Sequence, residues 1–135
     1  MPNFNILLTD FKAWAAMQDN IIGVFLVGSY ARNAAQASSD LDLVILTDNV
    51  EIYLKDSTWA EKFGIITNVL DEDWGLLKTK RVYYNTGLEV EFNFTTSEWL
   101  KSPTDEQTKK VLADGYVILV DKTGALKAFV SQLGL

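Results

Sequence analysis

The stretch that decides the fold is GSYARNAAQASSDLDL, residues 28–43, which joins two short apolar runs. The run before it, residues 21–27 (IIGVFLV), is rich in β-branched residues and ends at Gly28, which predicts a strand covered on both faces and central in its sheet. The run at its end, residues 41–46 (LDLVIL), predicts a second strand. Between them Ser29 opens a short alanine-rich helix, Tyr30 to Ala35. The stretch therefore predicts strand, tight turn, helix and strand.

The Gly28-Ser29 turn has a local chemistry of its own. Free backbone N–H groups and the Ser29 hydroxyl face whatever lies at the carboxyl end of the first strand, and that geometry suits a phosphate. Tight turns between a strand and a helix also use Gly and Ser for steric and capping reasons alone. The turn by itself leaves both interpretations open.

Asp40 and Asp42 open the second strand and project to the same face, because residues two apart on a strand do so. Leu41 and Leu43 then point into the core. Two anions at the mouth of an apolar strand repel each other and are partly desolvated, which is unfavourable unless a cation lies between them. The alternative is a solvated strand end.

A hairpin over residues 79–94 supplies a candidate third acid. Its turn is Asn85-Thr86-Gly87, with Gly87 in the left-handed position. Alternation along residues 88–94 (LEVEFNF) predicts Leu and Phe side chains in the core, and Glu89, Glu91 and Asn93 on the other face. If this strand lies beside the Asp40/Asp42 strand, one glutamate completes a cluster of three carboxylates. Periodicity alone favours an ordinary solvated face.

The remaining chain contains no repeat and no linker, so we expect one domain over residues 1–135. Its fold class is α/β (α+β), a mixed central sheet flanked by helices, with helices and strands alternating. The other predicted elements are a helix over 4–18, a weaker strand over 65–70, a helix over 104–113, a strand over 116–120 and a helix over 124–133.

The amino-acid composition excludes several kinds of catalytic and metal site. The 135 residues include no His and no Cys, which excludes His- and Cys-based catalysis, zinc, haem and iron–sulfur sites, and disulfides. Oxygen donors remain, and they select hard cations such as Mg²⁺ or Mn²⁺. The net charge of −6 argues against bulk nucleic-acid binding. With no secretory signal and no apolar run of about 18 residues, we expect a cytoplasmic protein that does not enter the membrane.

The pattern G-S-x-A-R-x-x-A-x-x-x-S-D-x-D-L, residues 28–43, resembles that of the nucleotidyltransferase superfamily, which includes DNA polymerase β. It looks closest to minimal nucleotidyltransferases and to the N-terminal domain of aminoglycoside adenylyltransferases. Two positions depart from the pattern: Asn33 stands where minimal members have Gly, and the third acid is Glu rather than Asp. Val90-Glu91-Phe92 fits the apolar-acid-apolar pattern of the family's third-acid strand, so the resemblance favours Glu91, with Glu89 as the alternative.

The resemblance implies the nucleotidyltransferase fold and transfer of a nucleoside monophosphate from a nucleoside triphosphate, with ATP expected, to an acceptor hydroxyl. It implies that Asp40 and Asp42 hold two Mg²⁺ ions about 4 Å apart, and that Glu91 shares one and takes the hydroxyl proton. The resemblance also implies that Gly28, Ser29, Arg32 and Ser39 contact the nucleotide. A structural ion pair is an equally good interpretation of Arg32.

The motif does not identify the acceptor or the residues that bind it. Aminoglycoside-modifying enzymes carry a further helical domain for which 135 residues leave no room, so we expect the acceptor site to use a partner chain, a second copy in a homodimer, or a surface cleft. The acceptor is a small molecule or a protein hydroxyl. The alternative function is a binding module of the same fold, similar to an antitoxin, with weak or no catalysis.

Two further groups of residues are candidates for substrate contact. Lys78, Lys80 and Arg81 could touch the triphosphate, but such clusters more often form a solvated face. Aromatic side chains could stack on a base or on an acceptor ring, although each Trp is better explained by core packing or a partner interface. They are Tyr30, Trp59, Trp74 and Trp99.

Overall fold

A computed structural model describes residues 4–31, 40–101 and 106–135. Its strands are β1 (Ile21–Val27), β2 (Leu41–Thr47), β3 (Ile66–Trp74), β4 (Leu77–Tyr84), β5 (Glu89–Thr95) and β6 (Tyr116–Asp121). Its α-helices are α1 (Phe4–Met17), α2 (Gly28–Ala31), α3 (Glu51–Leu54), α4 (Glu106–Ala113) and α5 (Ala125–Gln132). Two 3₁₀ helices span Thr58–Phe63 and Ser97–Leu100. None of the helices in these ranges is long and apolar enough to cross a membrane.

The strands form one mixed sheet in the order β3-β4-β5-β2-β1-β6. Strands β2 and β5 run parallel, and the other neighbouring strands described are antiparallel. Strand β1 lies inside the sheet between β2 and β6, which completes its hydrogen bonding on both edges. The predicted mixed sheet is confirmed.

Both faces of the sheet are covered by apolar side chains. On one face α1 packs its buried stripe, represented by Phe11, against residues such as Ile45 of β2. On the other face α4 and α5 pack Leu112 and Phe129 against Phe25 of β1 and Val44 of β2. Successive residues of β2 thus enter opposite cores, as the pleat of a strand requires. This confirms that the two apolar runs are strands buried on both faces.

Helices and strands do not alternate in the middle of the chain, in agreement with the strand predicted over 65–70 and the hairpin predicted over 79–94. Strands β3, β4 and β5 follow one another as an antiparallel meander. Strand β3 is longer than predicted because residues 71–74 continue the strand, and a two-residue turn at Gly75 and Leu76 leads into β4. β3 is an edge strand with little burial, so it lacks the apolar alternation by which a strand is recognised.

The helix predicted after the first strand begins earlier than expected. It starts at Gly28 itself rather than at Tyr30, and its predicted end at Ala35 lies outside the described residues. The helix predicted over 104–113 is described from Glu106 onward. The remaining predicted helices and strands occur within a few residues of their expected positions.

Candidate active site

A row of charged side chains crosses the sheet on the face that α4 and α5 cover. Asp42 of β2 is the register partner of Glu91 of β5, and Glu91 is in turn the register partner of Arg81 of β4. Register partners on adjacent strands carry their side chains roughly 5 Å apart. Strand pairing alone therefore places an acid, a second acid and a cation side by side.

Asp40, which directly precedes β2, joins this row. Its Oδ2 lies 3.4 Å from Nη1 of Arg81, and its charge acts on both Asp42 and Glu91. Burial raises the pKa of Asp42, and the charge of Asp40 adds to the effect. Burial, then the charges of Asp42 and Asp40, raise the pKa of Glu91 to about 8. The three carboxyl groups form a cluster with unbalanced negative charge.

Asn93 fixes the orientation of Asp42. Its side-chain Nδ2 donates to Asp42 Oδ1 at 2.7 Å and to the carbonyl of Leu43 at 2.9 Å. Its Oδ1 accepts a hydrogen bond from the Thr79 hydroxyl of β4. Because Asn93 is almost completely buried, these bonds hold one oxygen of Asp42 in place.

The glycine at the end of β1 allows the chain to turn beside this cluster. Gly28 has a φ of 76°, a conformation that other residues rarely adopt. A Cβ atom there would lie 3.3 Å from Asp42 Cβ and 3.5 Å from Asp42 Oδ2. Gly28 therefore lies directly against the side chain of Asp42.

Arg81 is surrounded by acids. Its Nη1 lies 2.7 Å from Glu89 Oε2 and 3.4 Å from Asp40 Oδ2. Its Nη2 lies 3.1 Å from Glu72 Oε1 and pairs with Glu91 as well. Burial alone would lower the pKa of Arg81, but these carboxylates raise it above its ordinary value. The guanidinium is a permanent cation inside the cluster.

The donors in this cluster are carboxylate oxygens, which are the ligands that Mg²⁺ and Mn²⁺ prefer. Their mutual repulsion is the kind of charge imbalance that a divalent cation relieves. Within residues 4–31, 40–101 and 106–135, however, no three acidic side chains surround one point that a metal ion could occupy. The donor chemistry fits such an ion, while the side-chain arrangement is the one that pairs with Arg81.

A cavity of about 490 Å³ opens directly beside the cluster. Asp42 and Glu91 line it from the sheet, together with Arg81 and Asn93. Its other walls come from the same strands and from β1, β3, the second 3₁₀ helix and α4, through Val27, Val44, Trp74, Leu77, Trp99, Gln107, Thr108 and Val111. Its volume lies in the range of sites for small ligands.

The model of the streptomycin adenylyltransferase family matches residues 4–132. The chain belongs to this family. The match covers the whole sheet and all five α-helices described above, including Asp42 and Glu91. No curated protein matches the chain.

Similarity to a solved structure supports the fold of this family member. An aminoglycoside 6-adenyltransferase from Bacillus subtilis matches with a TM-score of 0.60 and 11% sequence identity, over 87% of this chain and 41% of that one. The complex of a CCA-adding enzyme with CTP matches with a TM-score of 0.48 and 18% identity, over 96% and 35%. The first structure confirms the nucleotidyltransferase fold predicted from the motif. The chain spans less than half the length of either protein.

The structure brings most of the predicted site residues of this family member together. Gly28, Ser29, Asp40, Asp42 and Glu91 meet at one end of the sheet, where β1 and α2 join and β2 and β5 begin. The register pairs Asp42 with Glu91, whereas Glu89 binds the outer side of Arg81. Arg32 and Ser39 lie outside the described residues.

The solvated face expected for Lys78, Lys80 and Arg81 is wrong for two of the three. Lys80 is buried on the α1 face, where its Nζ pairs with Asp71 at 2.9 Å, and Arg81 points into the carboxylate cluster. Lys78 is partly exposed and pairs with Asp73. The position of Arg81 could have been predicted from the turn of the hairpin. A three-residue turn from Asn85 to Gly87 aligns Arg81 with Glu91 on the neighbouring strand.

The aromatic candidates divide between core and cavity. Tyr30 packs against Phe4, and Trp59 packs within the aromatic core of the α1 face. Trp99 is buried against Phe25 but also borders the cavity. Trp74 is 64% exposed and borders the cavity at the end of β3. Trp74 is therefore the best placed of these residues to contact a ligand.

Proposed function

We propose that this family member transfers a nucleoside monophosphate from a nucleoside triphosphate, ATP being the expected donor, to a hydroxyl group. The observation that carries the proposal is the cluster of Asp40, Asp42 and Glu91 at the Gly28-Ser29 turn, beside a cavity of ligand size. Membership of the streptomycin adenylyltransferase family supports the same reaction.

In this proposal Glu91 takes the proton from the acceptor hydroxyl. The hydroxyl oxygen then forms a bond to the α-phosphorus, the bond from that phosphorus to the bridging oxygen breaks, and pyrophosphate leaves. Burial and neighbouring acids keep the pKa of Glu91 near neutrality, which suits a general base. Asn93 holds the Asp42 carboxylate at a fixed orientation throughout.

Asp40 and Asp42 would hold Mg²⁺ or Mn²⁺, with Glu91 as a shared ligand. When bound, such ions supply positive charge to the attacking and leaving oxygens. Gly28 and Ser29 would contact the triphosphate through the turn that lies against Asp42. Arg32 and Ser39, which belong to the same sequence motif, are proposed for the same role.

The acceptor we propose is a small hydroxylated molecule, and aminoglycosides are the first to test because of the family and the Bacillus subtilis structure. The cavity beside Glu91 is where its reacting ring would lie. A partner protein or a second copy of the chain would supply the remainder of the acceptor site. The corresponding test is transfer of label from α-³²P-ATP to streptomycin and related aminoglycosides.

The first prediction concerns Asp42→Asn. Because burial and Asp40 raise the pKa of Asp42, we expect the variant to be as stable as the wild type or slightly more stable without metal. We also expect it to lose the stabilisation by Mg²⁺ with ATP. In the wild type, ligand at 100 times its dissociation constant adds about 2.7 kcal/mol, which shifts the melting temperature by several degrees. Thermal melts with each nucleoside triphosphate measure both effects.

Asp73→Asn is the matched control, because Asp73 is a well-exposed acid that pairs with Lys78 on the hairpin. It should keep the full shift with nucleotide. If no nucleotide shifts the wild type, the enzyme proposal fails, and the binding module without catalysis becomes the better explanation of the fold.

A further inference from the structure

Arg81 makes four ion pairs within the carboxylate cluster. Its guanidinium pairs with four carboxylates from three places in the chain, and its side chain is only 19% exposed. These partners fall into two sets. Glu72 of β3 and Glu89 of β5 lie away from Asp42, whereas Asp40 and Glu91 belong to the candidate metal ligands.

Glu91 interacts both with Arg81 and with the other two acids of the cluster. Nη2 of Arg81 pairs with Glu91, Asp42 is its register partner on β2, and the negative charges of Asp42 and Asp40 act on it. In the described residues the three acids do not surround a common point. A guanidinium among them already supplies the positive charge that a metal ion would bring.

A divalent cation and Arg81 cannot both lie against Glu91 without repulsion between them, because a few ångströms would separate the two cations. Arg81 need not leave the site to avoid it. The guanidinium has five N–H donors in a fixed fork, and the contacts with Glu72 and Glu89 use only part of them. These two acids can keep Arg81 in place after Glu91 and Asp40 have turned away.

We propose that Arg81 is a positioning residue that balances the charge of Asp40 and Glu91 as an internal cation, and that a divalent metal ion displaces it from these two acids while Glu72 and Glu89 retain it. The inference rests on the proposed function, since it assumes that the three acids bind metal. Metal binding is then an exchange of one cation for another, and Arg81 lowers the affinity of the site for the metal ion.

The test is titration of the full chain with Mn²⁺ alone, without nucleotide, with free Mn²⁺ measured by electron paramagnetic resonance. Arg81→Gln should bind Mn²⁺ at least about tenfold more tightly than the wild type, because the competing charge-assisted bonds are gone. Arg81→Lys keeps the charge but not the fork, so it should bind about threefold more tightly. Lys78→Gln removes one positive charge from the opposite face of β4, and its affinity should change by less than about twofold.

A second readout separates this exchange from a purely structural ion-pair network. Without metal Arg81→Gln should melt below the wild type, since four acids lose their counter-cation, and saturating Mn²⁺ should remove most of that difference. A network needed only for folding predicts a deficit that persists with Mn²⁺. If Arg81→Gln does not fold, the affinity of Arg81→Lys decides.

The outcomes are distinct for the two proposals. Mn²⁺ affinity that is unchanged or weaker in both Arg81 variants, with the wild type still stabilised by Mn²⁺ and ATP, overturns the role of Arg81 and leaves the proposed function intact. Absence of Mn²⁺ binding by every variant, with and without ATP, overturns both. Tight binding by Arg81→Gln beside weak binding by the wild type supports both.

Discussion

At the scale of single residues, the site is dominated by like charge in a partly buried place. Asp42 is partly buried, with its carboxylate hydrogen-bonded to Asn93 and its Cβ close to Gly28. Glu91 lies next to it on β5 as its register partner. A carboxylate in such a position is more stable with its proton than without it.

This protonation preference makes the stability of the metal-free protein depend on pH. The pKa of Glu91 is raised to about 8 in the folded state, from an ordinary value of 4.5 in the unfolded state. Between these pH values Glu91 holds its proton in the folded state and has lost it in the unfolded state. The free energy of unfolding is therefore highest below pH 4.5, as far as Glu91 is concerned, and decreases as pH rises toward 8.

We therefore predict that Glu91→Gln equals the wild type in free energy of unfolding near pH 5 and exceeds it near pH 8, by about 2 kcal/mol after allowing for solvent screening. Urea unfolding in EDTA at both pH values measures the difference. A variant that is less stable than the wild type at pH 8 would mean that the ion pair of Glu91 with Arg81 outweighs the repulsion from Asp40 and Asp42.

At the scale of elements, the turn between β1 and α2 depends on one glycine. The φ of Gly28, 76°, is strained for any residue with a side chain, and a Cβ atom there would meet Asp42 Cβ at 3.3 Å. Gly75, in the turn between β3 and β4, has almost the same φ of 79°, but a Cβ atom at that position would have no neighbouring atom within 4 Å. A side chain at Gly75 would therefore meet backbone strain alone, whereas one at Gly28 would meet both strain and steric crowding.

We predict that Gly75→Ala lowers the free energy of unfolding by about 1 kcal/mol, since only left-handed strain acts there. Gly28→Ala should cost about 2 kcal/mol or more, because the new methyl group also presses on Asp42. It should weaken the shift with Mg²⁺ and ATP as well, which Gly75→Ala should leave unchanged. Urea unfolding and nucleotide melts of both variants test this, and equal losses would contradict the crowding at Gly28.

At the scale of the whole molecule, the cavity is assembled from segments that are far apart in sequence. Asp42 and Glu91 come from the middle of the sheet, Trp74 from the end of β3, and Gln107 from α4. Trp74 presents a large aromatic surface there, 64% exposed. Exposed aromatic surface beside reacting groups is typical of a ligand contact.

If the cavity holds the acceptor, Trp74→Ala should raise KM for the acceptor about 2- to 10-fold, with kcat and KM for ATP nearly unchanged. Leu76→Ala is the control, because Leu76 is 49% exposed in the adjoining turn and does not line the cavity. Both variants should keep their stability within about 0.5 kcal/mol. A rise in KM for ATP alone would assign the cavity to the nucleotide instead.

The two cores share the strands between them, so we propose that residues 1–135 unfold as one domain. Val44 and Ile45 of β2 enter opposite cores, and neither core persists without that strand. Urea unfolding followed by circular dichroism and by tryptophan fluorescence should give coincident transitions. Two separated transitions would show that the α1 face and the face of α4 and α5 unfold independently.

The sequence by itself determined the parts of the protein that local patterns encode. The apolar runs of β1 and β2, the turn at Gly28, and the paired Asp40 and Asp42 identify the fold, because each depends on neighbours in the chain. The alternation of residues 88–94 likewise correctly predicted which side chains enter the core on the α1 face. The edge strand β3 was only partly found, since exposed strands carry little apolar signal.

Only the tertiary structure decided which distant groups meet. Parallel pairing of β5 with β2 placed Glu91, rather than Glu89, against Asp42, because a shift of two residues in register would exchange the two glutamates. The same pairing carried Arg81 into the cluster and buried Asn93 beneath Asp42. Strand register is set by contacts across the whole sheet, and for that reason the charge balance of the site could not be obtained from the pattern of any one segment.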